Sequence, residues 1–400
     1  MTDLSSRWNA AAGIVAEHRD LLDARPGTDA AEQVARTRSW AEALLSLSDD
    51  HVARHEDEGL AAAWPHEAPA GLRALVAACR AACNLGPLQA FGSSGAVGRR
   101  HEKPRKRAQI DAFARLIGPL AERATRVIDV GCGHGHLART LAARIGRPVL
   151  GLERDLAIAD RARMLAGRPD VVFDVTDVIR DGLAVGPTDC VVGLHACGEL
   201  GDAIVTSSAR GGASVALVGC CLQKRRQAVR APLCDSASFG DALHLPREAL
   251  GLSNLTARAR GVEASRVENL AARERRFALH RLLLADGEEV RFGAEIAGLN
   301  RRAAHLGLDA LVARAFAVRG RPVPGPAAIR EAERHARREH ARARRLAIPR
   351  ALLARVLEVF VLVDRALLLE RSGMRVAIGT LFDESISARN LALAGSIAEE

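Results

Sequence analysis

Apolar residues recur at helical spacing from Ser5 to Leu22 and from Asp29 to Leu47, with Asp and Ser at cap positions, and residues 71–84 predict a third helix. A Gly- and Ser-rich stretch, GPLQAFGSSGAVG (86–98), breaks the rhythm and marks a first boundary. Beyond it helices and strands alternate, as they do in a parallel sheet covered by helices. The pattern predicts a helix over 105–122, β1 over 126–130, a helix over 136–145, β2 over 148–153 and a helix over 155–166. It continues with β3 over 171–175, β4 over 189–195, a helix near 199–210 and β5 over 214–220. After Cys221 the chain reads as helical and polar, with helices near 263–285, 293–318, 327–346 and 350–371. Two short apolar segments, 375–382 and 388–395, flank a turn containing Asp383, Glu384 and Ser385, and predict an antiparallel pair that finishes the sheet.

The expectation is an α/β fold: a mostly parallel sheet with a terminal antiparallel pair. Its parts are a helical N-terminal region (1–98), a core with a basic segment and β1–β5 (99–235), a helical insertion (236–372) and the closing strands (373–400). No internal repeat is visible. The Ala- and Arg-rich stretch 327–346 predicts an exposed helix.

Composition excludes some classes and localises the charge. At 48% hydrophobic and 26% charged, the 400-residue chain is not wholesale disordered. The most tempting apolar run, 351–369, is interrupted by Arg355, Glu358, Asp364 and Arg365, so no membrane contact is expected. The N-terminal MTDLSSRWNAAAG lacks a basic-then-apolar leader pattern, and the eight cysteines read as reduced thiols; both point to the cytoplasm. Only three of the 57 basic residues are lysines: Lys103, Lys106 and Lys224. Residues 99–107, 224–230 and 330–345 together hold a net +13 against +9 for the whole chain. Charge concentrated in this way suits an RNA-like anion, although each run alone also fits a solvated face and aromatic residues for base stacking are scarce.

The sharpest chemical signal is VIDVGCGHGHL (127–137), running from a predicted strand directly into a predicted helix. Glycines at 131, 133 and 135 allow tight turning and close approach of a ligand, and the following helix start offers free N–H groups to a carboxylate. A dinucleotide fingerprint requires glycine where His136 stands, which speaks against NAD. The loop instead resembles motif I of class I S-adenosylmethionine-dependent methyltransferases, Asp-x-Gly-x-Gly-x-Gly. By that resemblance Asp129, Gly131, Cys132, Gly133 and Gly135 lie against the methionine moiety of the cofactor. Glu153 ends β2, 24 residues after Asp129, where an acid accepts hydrogen bonds from ribose hydroxyls. Asp177 follows β3, where a carboxylate suits the exocyclic adenine N–H while Val178 packs on the ring. For each acid a helix cap or salt bridge is the structural alternative.

Ligands of open α/β sheets bind outside the carboxyl ends of the strands, so the ends of β4 and β5 should frame the transferred methyl group. These carry LHACGELGD (194–202) and VGCCLQKRR (218–226), which bring His195, Cys197, Cys220, Cys221 and Lys224 to one rim if the strands are neighbours. His195 is the candidate base, with a further role packing on the cofactor, and Lys224 the candidate for holding a phosphate or developing oxyanion. The cysteines allow a nucleophilic or a metal-binding role, but the default is a small buried hydrophobe. Adjacent Cys220 and Cys221 on a strand point to opposite faces and no C-x-x-C pair is present, so no metal is expected.

The order KPRKRAQI, VIDVGCGHGHL, GLHACGELG, VGCCLQKR and LFDESISARNLALAG resembles eukaryotic methyltransferase-like proteins, some named as rRNA adenine dimethylase domain-containing, of which this chain looks like a bacterial relative. SWAEALLSLSDDHVARH is similar to the helical region preceding their catalytic domain. The His-x-Cys-Gly and Gly-Cys-Cys pair is also similar to a tRNA 2′-O-methyltransferase family. The resemblance implies a Rossmann-like class I methyltransferase sheet, S-adenosylmethionine as cofactor, and a basic segment near the site, with Lys103, Arg105, Lys106 and Arg107; Arg225 and Arg226, in the charge run 224–230, are further substrate-binding candidates. Adenine amino methyltransferases resemble one another in an Asn/Asp-Pro-Pro-aromatic element after β4; His195, Ala196, Cys197 and Gly198 stand there instead, which speaks against adenine N6 chemistry.

Three functions compete. One is methyl transfer to RNA (tRNA or rRNA) by direct displacement with base assistance. The second is methylation of a protein side chain or small molecule. The third is a noncatalytic RNA- or ribosome-binding module on the same fold.

Overall fold

The apolar segments of the core assemble into one seven-stranded sheet in the computed structural model, which describes residues 3–25, 27, 29–88, 104–255 and 266–397. Its strands are β1 (Arg126–Val130), β2 (Val149–Glu153), β3 (Val171–Val175), β4 (Asp189–Ala196), β5 (Ser214–Gly219), β6 (Met374–Thr380) and β7 (Leu391–Ile397), in the order β3-β2-β1-β4-β5-β7-β6. The first five are parallel. β7 runs antiparallel to β5, and β6 antiparallel to β7. Near-continuous apolar runs such as Val191–Val192 and Val215–Val218 are buried because helices cover a parallel sheet on both faces. The core on one of those faces joins Phe113, Leu116 and Ile117 of the helix Pro104–Ala121 to Val127, Leu141, Val192 and Val218. Strand order reverses at β1, between β2 and β4, and this switch point opens the carboxyl-end crevice in which such sheets bind ligands.

The chain divides into two compact units. One comprises Met1–Arg19, Leu75–Arg258 and Leu352–Glu400 and holds the sheet; the other comprises Asp20–Ala74 and Ala259–Ala351. The second unit is helical and packs Leu279, Leu283, Leu311, Val312 and Phe316 together with Ala332 and Ala336.

Several expected boundaries move, for local reasons. The span 5–22 breaks into Leu4–Glu17 and Arg19–Asp23 at His18, and 29–47 into Asp29–Thr37 and Ala41–Leu45, where Ser39 takes a positive φ of 56°. Asp49–Glu58 is a helix that the periodicity did not suggest, capped by Ser48, whose side chain accepts from the His51 N–H. The expected helix 293–318 shrinks to a short 3-10 turn (Arg301–His305) and Leu308–Val318, because Gly293, Gly298 and Gly307 all adopt positive φ. Pro326–Leu346 is not an all-exposed helix: Ile329, Ala332, Ala336 and His340 are buried, while Arg344 and Arg345 bond Glu56 and Asp49 at 2.8 Å and Arg342 pairs with Glu32. The closing strand starts at Leu391 rather than 388, since Arg389 and Asn390 are buried with their side chains bonded to Glu358 and to the Phe382 carbonyl. The 86–98 boundary falls mostly on 89–98, outside the described residues.

A buried ion cluster ties the long C-terminal helix, Ile348–Arg371, to the rim of the sheet. Asp202 receives Arg225 (2.6 Å), Arg230 (3.1 Å) and Arg365 (2.9 Å), and Asp364 receives Arg230 at 2.7 Å and the Trp8 indole N–H at 3.1 Å. Arg365 also donates to the Gly198 carbonyl at 2.7 Å and lies against Gly201, where a Cβ would meet the guanidinium. Burial alone would raise the Asp202 carboxyl, but Arg230 and Arg365 outweigh it and hold the group well below the ordinary carboxylate range. Removing one partner leaves a buried charge uncompensated, so Asp202→Asn should cost about 3–5 kcal/mol in chemical denaturation at pH 7. Because the folded value is depressed, the contribution is full above about pH 4 and fades as pH falls further; the gap between wild type and Asp202→Asn should therefore close on acidification. A gap independent of pH would show that the pairing does not stabilise the fold.

Candidate active site

The glycine loop leaves β1 as the pattern predicts. Gly131 and Cys132 donate their N–H groups to the Leu152 carbonyl at 2.8 and 3.1 Å, which fastens the loop to β2. Gly131, Gly133 and Gly135 have φ of 72°, 55° and 70°, a region that side chains adopt only with strain. Each serves a different purpose. At Gly135, and at Gly151 on β2, a Cβ would collide with the Phe173 ring; at Gly133 nothing lies within 4 Å. The helix His136–Ile145 starts at Gly135, which has no side chain to cap it, and the Asp129 carboxylate of β1 accepts from the Ala138 N–H in its first turn.

Two acids look onto this loop. Glu153 accepts from Gly133 N–H through Oε2 and from Asp155 N–H through Oε1, both at 3.1 Å, and each oxygen retains a lone pair. Asp129 is 2% exposed; burial pushes its carboxyl up to about 7, against the pull of the Ala138 N–H. Its Oδ2 is buried with no hydrogen-bond partner among the described residues. A partnerless buried carboxylate oxygen, an open face at Gly133 and a helix start whose N-cap is glycine fit a cofactor carrying an ammonium, a carboxylate and ribose hydroxyls. Cys132 is packed beneath the loop, and burial pushes its thiol up, so it acts there as an apolar filler.

Beyond β3, Asp177 caps the short helix Val178–Asp181 by accepting from Arg180 N–H at 3.3 Å, and Val178 is buried. Asp177 also forms an ion pair with Arg226. The loops after β3 and β5 thus meet over the strand ends, and Asp177 holds both structural roles foreseen as alternatives.

His195 sits at a β-bulge. The β4–β5 register shifts between Leu194 and Ala196, and His195 takes φ 64°, one of two non-glycine residues at positive φ among those described. The bulge sends ring and carbonyl to different partners. The ring Nε2 lies 2.9 Å from Gln109 Oε1; since the Gln109 amide nitrogen faces the Ile386 carbonyl at 3.4 Å, Oε1 is the acceptor and Nε2 carries the hydrogen. Nδ1 is left with the free lone pair. Burial, then Arg389, Lys106 and Arg105, lower the imidazole pKa below its ordinary value and keep it neutral.

The carbonyl of His195 faces the cysteines, with Cys197 Sγ at 3.3 Å and Cys220 Sγ at 3.2 Å. β5 ends at Gly219, one residue earlier than expected, so the alternation that would separate Cys220 from Cys221 no longer applies. The sulfurs of Cys197, Cys220 and Cys221 all lie within 4.8 Å of one another. A hydrogen bond from the Cys220 thiol, helped by the Cys221 N–H and by Lys224, holds Cys197 below the ordinary thiol range. Lys224 is exposed on this rim, and its carbonyl accepts from Glu199 N–H at 3.2 Å.

The basic substrate residues fare unequally. Arg225 is not available to a ligand: its side chain is 5% exposed and ion-paired to Asp202, because the rim folds inward onto the buried cluster. Arg226 is bound to Asp177, and Arg107 reaches Asp111 at 3.9 Å. Arg105 and Lys106 are exposed at the start of the helix Pro104–Ala121, while Lys103 lies outside the described residues. Gln109, Asp202 and Arg365 were missed. They are single polar residues on otherwise ordinary helices, and only the fold brings them to the rim.

The family described as Methyltransferase domain matches residues 105–228, from the start of that first core helix to just beyond the Cys-Cys loop. Similar solved structures include an amino pentose methyltransferase from Micromonospora echinaspora with bound S-adenosylmethionine (28% identity, 30% of this chain, 52% of that one, TM-score 0.25). Others are a TehB-like methyltransferase from Corynebacterium glutamicum (24%, 26%, 60%, TM-score 0.23) and magnesium protoporphyrin IX methyltransferase from Synechocystis PCC 6803 with bound S-adenosylhomocysteine (22%, 30%, 61%, TM-score 0.24). The chain spans about half to three-fifths of the length of these structures. The parallel sheet, the glycine loop at its switch point and the family match identify residues 105–228 as a class I methyltransferase domain, of the kind that uses S-adenosylmethionine.

Proposed function

We propose that the chain is an S-adenosylmethionine-dependent methyltransferase acting on RNA of the tRNA or rRNA class. The observation that carries methyl transfer is the cradle formed by Gly133, Glu153 and the partnerless Asp129 oxygen. When bound, the cofactor supplies an electrophilic methyl group on a sulfonium. Asp129, Glu153 and the loop amides would hold its polar groups, and Asp177 and Val178 would border its base. His195, neutral and with a free Nδ1, is suited to take a proton from a hydroxyl or amine acceptor. Lys224 would steady negative charge as the acceptor loses that proton.

The RNA clause is supported by the exposed Arg105 and Lys106 near His195, which after burial and the buried Arg389 lower its imidazole pKa and would attract a phosphate-bearing acceptor. The likeness of the His-x-Cys-Gly and Gly-Cys-Cys pair to a tRNA 2′-O-methyltransferase family supports the same reading. A second reading, a small anionic acceptor, is favoured by the ion pairing of Arg225 and Arg226, which leaves fewer cations for a long phosphate backbone.

In lysate from a deletion strain, methyl-labelled cofactor and purified protein should place the label in RNA, with incorporation falling steeply as salt rises. Label confined to protein or small molecules would remove the RNA clause. Gly133→Val, strained at φ 55° and filling the open face, should weaken cofactor binding by about tenfold or more in calorimetry while leaving the circular dichroism unchanged. Unaltered affinity would place the cofactor elsewhere. Lys224→Arg should lower turnover with cofactor affinity intact, since a guanidinium does not reproduce a compact ammonium; equal turnover would strip Lys224 of any role.

A further inference from the structure

Three sulfurs from two separate strand ends meet at the rim, and methyl displacement by a histidine base makes no use of them. Cys197 follows the β4 bulge, and Cys220 and Cys221 follow the end of β5. We infer that Cys197, Cys220 and Cys221 form a three-thiolate site for a soft divalent cation, zinc. This assignment stands independently of the methyl acceptor and of methyl transfer itself.

The geometry is close to what the ion demands. Tetrahedral thiolate coordination with bonds of about 2.3 Å places sulfurs about 3.8 Å apart, and these lie within 4.8 Å of one another, so side-chain rotation closes the remainder. The backbone beneath them is fixed from both sides. Gly198, next to Cys197, is bonded through its carbonyl to Arg365 at 2.7 Å, and Lys224 N–H bonds the Cys221 carbonyl at 3.0 Å. Glu199 N–H to the Lys224 carbonyl, at 3.2 Å, joins the two loops directly. A side chain at Gly198 would run into that carbonyl, so the close approach of the loops depends on glycine there.

Burial and charge agree. Cys220 is buried and the other two are half-buried, which allows an ion to enter yet limits hydration. Three thiolates on one divalent ion leave a net charge of −1, and Lys224 stands near enough to Cys197 to offset it electrostatically. Binding is balanced by release of the thiol protons to solvent as three metal–sulfur bonds form. With three protein ligands, the fourth position falls to water or to a ligand, the arrangement of zinc sites that take part in chemistry rather than only in folding.

The test uses the full chain purified with reductant, loaded with zinc and freed of excess by gel filtration. Plasma mass spectrometry should find about one zinc per chain, and the cobalt-substituted protein should show thiolate-to-cobalt charge-transfer absorption. Cys221→Ser should weaken zinc binding by about a hundredfold, whereas Cys83→Ser should leave it unchanged. If Cys221→Ser fails to fold by circular dichroism, the cobalt spectrum of the wild type decides alone. Folded wild-type protein that retains no zinc, cobalt bound without the thiolate band, or a Cys197–Cys220 or Cys197–Cys221 disulfide persisting under reductant would each overturn the assignment.

Discussion

The contact on which the rim depends is the Arg365 guanidinium, buried between Asp202 and the carbonyl of Gly198. It reaches from a helix more than 160 residues further along the chain and fixes the turn after β4. From that turn hang Cys197, the join to Lys224 and the position of Glu199. Arg230 extends the cluster to Asp364, which also receives the Trp8 indole, so chain from three distant regions closes over one buried charge group. Burying five ionised side chains is costly in a low dielectric, and the cluster persists because the charges pair while the carboxylates accept several donors each.

The other end of the site is governed by backbone conformation. Three glycines at positive φ carry the chain from β1 into the next helix, and Phe173 fills the space that side chains at Gly135 and Gly151 would need. The one glycine left facing open space, Gly133, is the one whose N–H the Glu153 carboxylate holds. Loop, acid and helix start therefore form one preorganised surface. His195 lies at the end of β4, the strand paired with β1, and is turned by the bulge toward Gln109 on the helix Pro104–Ala121.

The sheet was readable in the sequence because parallel strands buried on both faces leave short apolar runs punctuated by glycine and acid, and all seven were anticipated in place and order along the chain. The cradle was readable for a related reason: glycine spacing and an acid at a strand end are local facts. The rim was only half legible. His195 and the cysteines could be named, but their arrangement turns on where β5 stops, and a single residue decides whether Cys220 and Cys221 diverge or converge. Charge runs misled most. Arg225 and Arg230 look like a basic patch in a linear reading and are instead counterions to buried aspartates brought from distant positions, a pairing that no local pattern records.

The most direct test of a methyltransferase centre built on the glycine cradle is calorimetric titration of the full chain with S-adenosylmethionine, wild type against Glu153→Ala. Binding that saturates at one equivalent and is lost in the variant, with circular dichroism unchanged in both, is the outcome this account predicts. A folded wild-type protein that does not bind the cofactor, or a Glu153→Ala protein that binds it equally well, would contradict it.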